Sequence, residues 1–242
     1  MRDARIECYR AVLMFGICVL HSVSFGIRSF HPVAFALTPC VDGFVLISGY
    51  FGIRFSFQKV LRLIGIGVFC AFVSALCGGL DHAVFTRMVS HYREYWFLHE
   101  YIVMMCMAPI VEVVLDRNGS QDWLKTFLPF LVLVFGWGLL TEFPVVHRLI
   151  PHSSGLGSFS GLTLMGVYIV GRLFRKLEML KRIRVWWLWA GVPILIIVVC
   201  LGNGWFGHYC SPFAVLLAML IFCAFLRLPI GNASFSRAVI FI

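Results

Sequence analysis

Arg10 and His21 stand eleven residues apart in the otherwise apolar run YRAVLMFGICVLHSVSF. At about 100° per residue, eleven steps return to within roughly 20° of the starting direction, so a helix carries both side chains on one face. At about 1.5 Å rise per residue their Cα atoms lie about 16 Å apart along the axis. A guanidinium stays charged and suits phosphate or carboxylate. An imidazole takes up and returns a proton near neutral pH, and it can also act as a nucleophile. An ionisable residue within a membrane span points to function by default, and His21, deep in the run, has no packing reason to be there.

Further polar residues interrupt other apolar runs. CVDGFVLISGYFG carries Asp42 and then Ser48, Gly49 and Tyr50. A carboxylate at the depth of His21 would fix the imidazole tautomer and raise its basicity. Gly43, Gly49 and Gly52 leave room for a helix or a ligand to approach closely. YWFLHEYI places His99 and Glu100 about a turn inside the membrane surface, with Tyr95 and Trp96 as interfacial aromatics. Lys59 and Arg62 are three apart and share a helix face, and with Arg10 and Arg54 they form a basic mouth suited to phosphate groups. Each of these also has a structural reading. Arg10 is placed to snorkel, Asp42 to bond a neighbouring helix, Ser48-Gly49 to pack it closely, and the basic mouth follows from ordinary charge asymmetry.

The elements that must position these residues are membrane spans. Of the 242 residues 61% are hydrophobic and only 13% charged, about half the charged share of a soluble domain. Mean hydropathy is +0.93. Apolar runs long enough to cross about 30 Å of hydrocarbon cover residues 9–25, 33–53, 60–80, 95–115, 124–140, 156–174, 185–201 and 209–226. The expectation is an all-α polytopic transmembrane bundle of about eight spans. Residues 229–242 form a C-terminal stub, the start of a ninth span, so the single domain over residues 1–242 is expected to be C-terminally incomplete. Of the 20 lysines and arginines, only Arg28, Arg87, Arg93 and Arg148 fall on one side of this topology. The rest fall with the N-terminus, which is therefore expected to be cytoplasmic. The net charge of +9 is then mostly this asymmetry rather than a nucleic-acid signal. The nine cysteines show no CxxC pair and no zinc-type spacing, so no metal is expected.

Four segments together resemble the acyltransferase 3 family of membrane O-acyltransferases. YRAVLMFGICVLH reproduces its R-x10-H pattern, and VDGFVLISGYFG its second-span signature with a Ser-Gly-aromatic triplet. Lys59 and Arg62 sit where the family has a basic R-x-x-R-type motif, and YWFLHEYI resembles the Trp-containing start of its fourth span. Two features depart from the family. The chain has fewer than the usual ten or so spans, and its acidic residue after Trp96 is displaced by one position.

The resemblance implies a bacterial inner-membrane enzyme that moves an acyl group, most often acetyl, from cytoplasmic acyl-CoA to a hydroxyl of an extracytoplasmic or lipid-linked polysaccharide, such as a capsule or lipopolysaccharide unit. It implies His21 as the catalytic residue and Arg10 as a donor-binding or structural partner. Depth and charge add Asp42 as the residue that orients the imidazole, and Lys59 and Arg62 as partners of Arg10 on the donor phosphates. Ser48, Gly49, Tyr50, Trp96 and Glu100 are the expected substrate-binding residues. An extended pantetheine arm is of the order of the 16 Å rise from Arg10 to His21. His21 then acts as general base or through an acyl-histidine relay. Two other functions compete: a proton-coupled transporter or flippase using His21 and Asp42 as a relay, and a non-catalytic fragment.

Overall fold

The computed structural model describes residues 3–26, 31–77, 85–86, 88–90, 95–117, 120–141, 161–178, 183–201 and 211–228. Every element within them is helical: α1 (Ala4–Gly26), α2 (His31–Leu37), α3 (Pro39–Phe51), α4 (Phe57–Cys77), α5 (Trp96–Arg117), α6 (Ser120–Thr141), α7 (Gly161–Lys176), α8 (Val185–Leu201) and α9 (Pro212–Leu226). The all-α expectation holds. The C-terminal stub and the four arginines of the sparse side lie outside the described residues.

Helices follow the expected runs, with one difference. The second run is divided at Thr38, because Pro39 has no N–H to give the preceding turn. The Thr38 N–H and hydroxyl both bond back to the Ala34 carbonyl, at 3.1 and 3.2 Å, and close the last turn of α2. α3 ends at Gly52, whose φ of +77° is cheap only for glycine and whose N–H reaches back to the Ser48 and Gly49 carbonyls. The prolines inside α5, α6 and α8 (Pro109, Pro129 and Pro193) are of the kind tolerated where neighbouring helices re-satisfy the backbone.

α7 forms the centre. Thr163–Ile169 and Gly171–Phe174 are all buried. α3 lies along one side of it, α5 and α6 along another. α1 and α9 back onto α3, α8 packs on α9 and α2, and α4 packs on α5. The α3–α7 crossing is the closest, and glycines make it so. A Cβ on Gly171 would lie 2.6 Å from the Leu46 carbonyl oxygen, and one on Gly49 would collide with the Tyr168 carbonyl. Two helices that offer each other backbone in this way gain packing that lipid cannot supply.

The outer surface is apolar. α4 buries only Val60, Gly67, Ala71 and Ala75, and exposes Phe57, Leu61, Ile66, Phe69 and Phe72 among others. A soluble protein does not present such a face. Among the described residues three helical stretches are long and apolar enough to cross a membrane: Val33–Phe51, Phe57–Cys77 and Trp96–Arg117.

One end of the bundle collects the charge. Arg5 donates to the Leu226 carbonyl at 2.6 Å, joining the start of α1 to the end of α9. Arg227 donates to the Ile183 carbonyl at 2.7 Å, just before α8. Arg175 reaches the Tyr50 carbonyl at 3.1 Å, and Lys176 pairs with Asp116 at 3.2 Å, so α3, α5 and α7 end together. Trp123 of α6 donates to Leu115 at the end of α5 at 2.8 Å. Helix starts and ends alternate at this level, and most of the described lysines and arginines lie at these ends or in the segments joining them. Here Arg5 also bonds Asp3 at 2.8 Å and holds its carboxyl below the usual carboxylate range.

Candidate functional site

α1 turns one stripe inward and another outward. Tyr9, Leu13, Gly16 and Leu20 are buried, at offsets of four, seven and eleven, on a helix that packs on α2, α3 and α9. Arg10, Met14 and His21 are exposed one position further on. The Arg10–His21 face inferred from spacing is thus a real, exposed face. Arg10 lies at the basic end, where its Nη1 donates to Glu7 Oε1 at 2.7 Å. His21 lies towards the opposite end, five residues before the helix stops.

The expected support of His21 by Asp42 is not formed. Asp42 is fully buried, and neither carboxylate oxygen has a hydrogen-bond partner among the described residues. The register explains this. Gly43 faces Tyr9 and Leu13, while Gly16 faces Cys40, so Asp42 is level with the stretch from Leu13 to Gly16. His21 is then five to eight residues further along, about 8–12 Å at the helical rise, and on the outward face. Asp42 thus lies in the packed interior of the bundle rather than beside the imidazole.

The second-span triplet serves the core. Ser48 Oγ donates to the Phe44 carbonyl at 2.9 Å and shares a 2.9 Å hydrogen bond with Tyr101 Oη, which brings the second-span motif to the fourth-span one. Gly49 is the crossing point with α7. The Tyr50 ring packs on Phe51, Phe174 and Phe222 with the Arg175 guanidinium 5.4 Å from its centroid. In the fourth-span motif, Trp96 is half-buried with its ring edge-on to Phe97. Glu100 Oε2 lies 2.5 Å from where a Cβ on Gly161 would sit, at the first residue of α7, where a helix dipole favours a carboxylate. Lys59 and Arg62 are exposed on the first turns of α4, at the same end of the bundle as Arg10 but on a helix whose main contact is α5, whereas α1 packs on α2, α3 and α9.

One cluster went unread in the sequence. Glu112 of α5 accepts from Tyr168 Oη at 2.8 Å and from Arg172 Nη2 at 2.5 Å. Tyr168 Oη in turn accepts from the Ile53 N–H at 3.3 Å. The Arg172 and Glu112 side chains are 10% and 25% exposed, so neither charge is bathed in water. The signal for the pair was available, since both residues fall inside expected spans rather than between them. Arg172 also opens a basic stretch that extends to Arg184, which hides it among charges expected from topology alone.

These features define an all-helical membrane protein with its polar chemistry on α1 and at one end of the bundle. The acyltransferase domain family matches residues 3–242. The chain belongs to that family, and it is in general terms a membrane acyltransferase. No curated protein and no solved structure matches it.

Proposed function

We propose that this protein is an O-acyltransferase of the bacterial inner membrane, crossing it several times with the basic end cytoplasmic. It moves an acyl group, acetyl by preference, from acyl-CoA to a hydroxyl of an extracytoplasmic or lipid-linked polysaccharide. The observation that carries this reading is the exposed α1 face with Arg10 at the basic end and His21 about three turns away. Family membership supplies the acyl chemistry.

Arg10, Lys59 and Arg62 hold the phosphates of the donor. Charge-assisted contacts of this kind are the strong ones, and a phosphate arriving at Arg10 displaces Glu7 from it. The pantetheine arm then runs along α1 and presents its thioester at His21. His21 takes the proton from the acceptor hydroxyl as that oxygen attacks the thioester carbonyl. The new C–O bond forms, the C–S bond breaks, and the proton passes from the imidazole to the departing CoA thiolate. Asp42 has no part in this sequence. Ser48 and Gly49 act by holding α3 in place, and Trp96 and Glu100 stand at the opposite end, on the acceptor side.

Labelled acetyl-CoA and a polysaccharide acceptor, given to the protein in nanodiscs, are expected to yield labelled ester in proportion to acceptor. Arg10→Gln and the double variant Lys59→Gln/Arg62→Gln are each expected to raise KM for acetyl-CoA about ten-fold or more, the size of one lost charge-assisted hydrogen bond, at little cost in kcat. Unchanged KM in both would remove the donor site from these residues. A pH-driven flux of an uncleaved solute, with no ester formed, would favour a transporter instead.

A further inference from the structure

Just beyond α3 the chain makes a five-residue connection, 52–56, that delivers Lys59 and Arg62 to the start of α4. Its two ends are tied to their own helices, the Gly52 N–H to the Ser48 and Gly49 carbonyls and the Ser56 carbonyl to the N–H groups of Lys59 and Val60. Its residues form no helix or strand, and Arg54 and Phe55 are exposed. Its first two residues nevertheless rest on the Glu112 cluster. The Ile53 N–H donates to Tyr168 Oη at 3.3 Å, and a Cβ on Gly52 would lie 3.2 Å from the Arg172 guanidinium carbon. Tyr168 and Arg172 come from one face of α7, a turn apart, and both are gripped by the two oxygens of Glu112 on α5. A backbone amide at the mouth of the connection is thereby fixed to two helices distant in sequence.

We infer that Glu112, Arg172 and Tyr168 are positioning residues for the donor site: they set where the 52–56 connection leaves the bundle, and so where Lys59 and Arg62 meet the donor phosphates. This rests on the proposed role of Lys59 and Arg62. The ion pair is costly to half-break, because either charge left alone would be partly buried without its counterpart. It is expensive as mere glue, since apolar residues of similar volume often stabilise as much. Its geometry instead offers register. Two carboxylate oxygens, one phenol and one guanidinium fix three segments at once, and the phenol spends its remaining acceptor capacity on the connection rather than on a helix.

The test uses the full chain in nanodiscs with Tyr168→Phe, which removes the hydroxyl and little volume, and Glu112→Gln, which keeps the shape and removes the charge. Two readouts are taken on folded, monodisperse protein: hydrogen exchange of the peptide spanning 52–56, and kcat and KM for acetyl-CoA. Both variants are expected to exchange faster over 52–56 and to raise KM with kcat within about two-fold: Tyr168→Phe by about five-fold, the effect of losing one neutral hydrogen bond from a site that binds but does not react, and Glu112→Gln by more, since it also leaves the Arg172 charge without its counterpart. Unchanged exchange, or faster exchange with unchanged KM, overturns the inference while leaving the acyltransferase reading intact. A fall in kcat alone also overturns it, since that is the mark of a general structural fault. Wild-type protein that shows no dependence on acetyl-CoA overturns the reading itself, and the exchange result still reports whether the cluster holds the connection.

Discussion

His21→Ala is expected to lower acyl transfer by about a hundred- to ten-thousand-fold, the range that a positioned general base contributes. The expectation follows from where the residue is. His21 is exposed on the outward stripe of α1, so removing its ring leaves no cavity in the core. Exposed substitutions away from such features shift stability by about 0.5 kcal/mol or less. The variant should therefore reach the membrane in wild-type amounts and melt at the wild-type temperature while losing turnover, with KM for the donor little changed because the phosphates are held elsewhere. Radiolabel transfer per milligram of purified protein measures this. Asp42→Asn is the informative companion. The residue is buried with no hydrogen-bond partner among the described residues and is out of reach of the imidazole, so its replacement is expected to spare the chemical step.

The second large effect is on folding. Gly49→Val is expected to abolish the folded protein. Its new Cβ would collide with the Tyr168 carbonyl, and the obstacle is backbone on a buried helix, which has no rotamer to change. Forcing even one or two methyl groups into a packed core costs about 1–3 kcal/mol, and more where backbone must move. Gly171→Ala meets the Leu46 carbonyl oxygen at 2.6 Å and the Tyr50 nitrogen at 3.0 Å from the other side of the same crossing, so it should be the milder of the two. Gly65→Ala is the control. A Cβ there has nothing within 4 Å, and replacing a helical glycine by alanine gains about 1 kcal/mol of helix propensity. Size-exclusion chromatography of a fluorescent fusion after graded heating should place the variants in the order Gly65→Ala, Gly171→Ala, Gly49→Val, from most to least folded.

Hydropathy carried the fold a long way. Each expected run contains a helix, because apolar length against a bilayer is a local property that a window of residues records. It did not locate the break at Thr38, although Pro39 was in view, because prolines also stand inside α5, α6 and α8 without dividing them. The α1 face was legible because both its residues sit on one helix, where period alone fixes direction. Partnerships between helices were not. Asp42 was paired with His21 by estimating depth from loop positions, and the register of α1 on α3 separates them by about two turns. Glu112 and Arg172 are sixty residues apart, and nothing local tells a charge to expect its counterpart there. Ser48 and Gly49 were read both ways from sequence. The structure gives them a packing role, with Ser48 bridging to Tyr101 and Gly49 at the crossing with α7.

The central claim is that donor and acceptor meet along one face of α1, with the donor arriving at the basic end. Its most direct measurement uses sealed vesicles of known orientation, with labelled acetyl-CoA supplied to one side only and the acceptor to the other. The account predicts labelled ester when the donor bathes the Lys/Arg-rich end, no ester when the sides are exchanged, and none in either orientation with His21→Ala. Equal labelling from both sides, or full labelling by the His21→Ala protein, would contradict it.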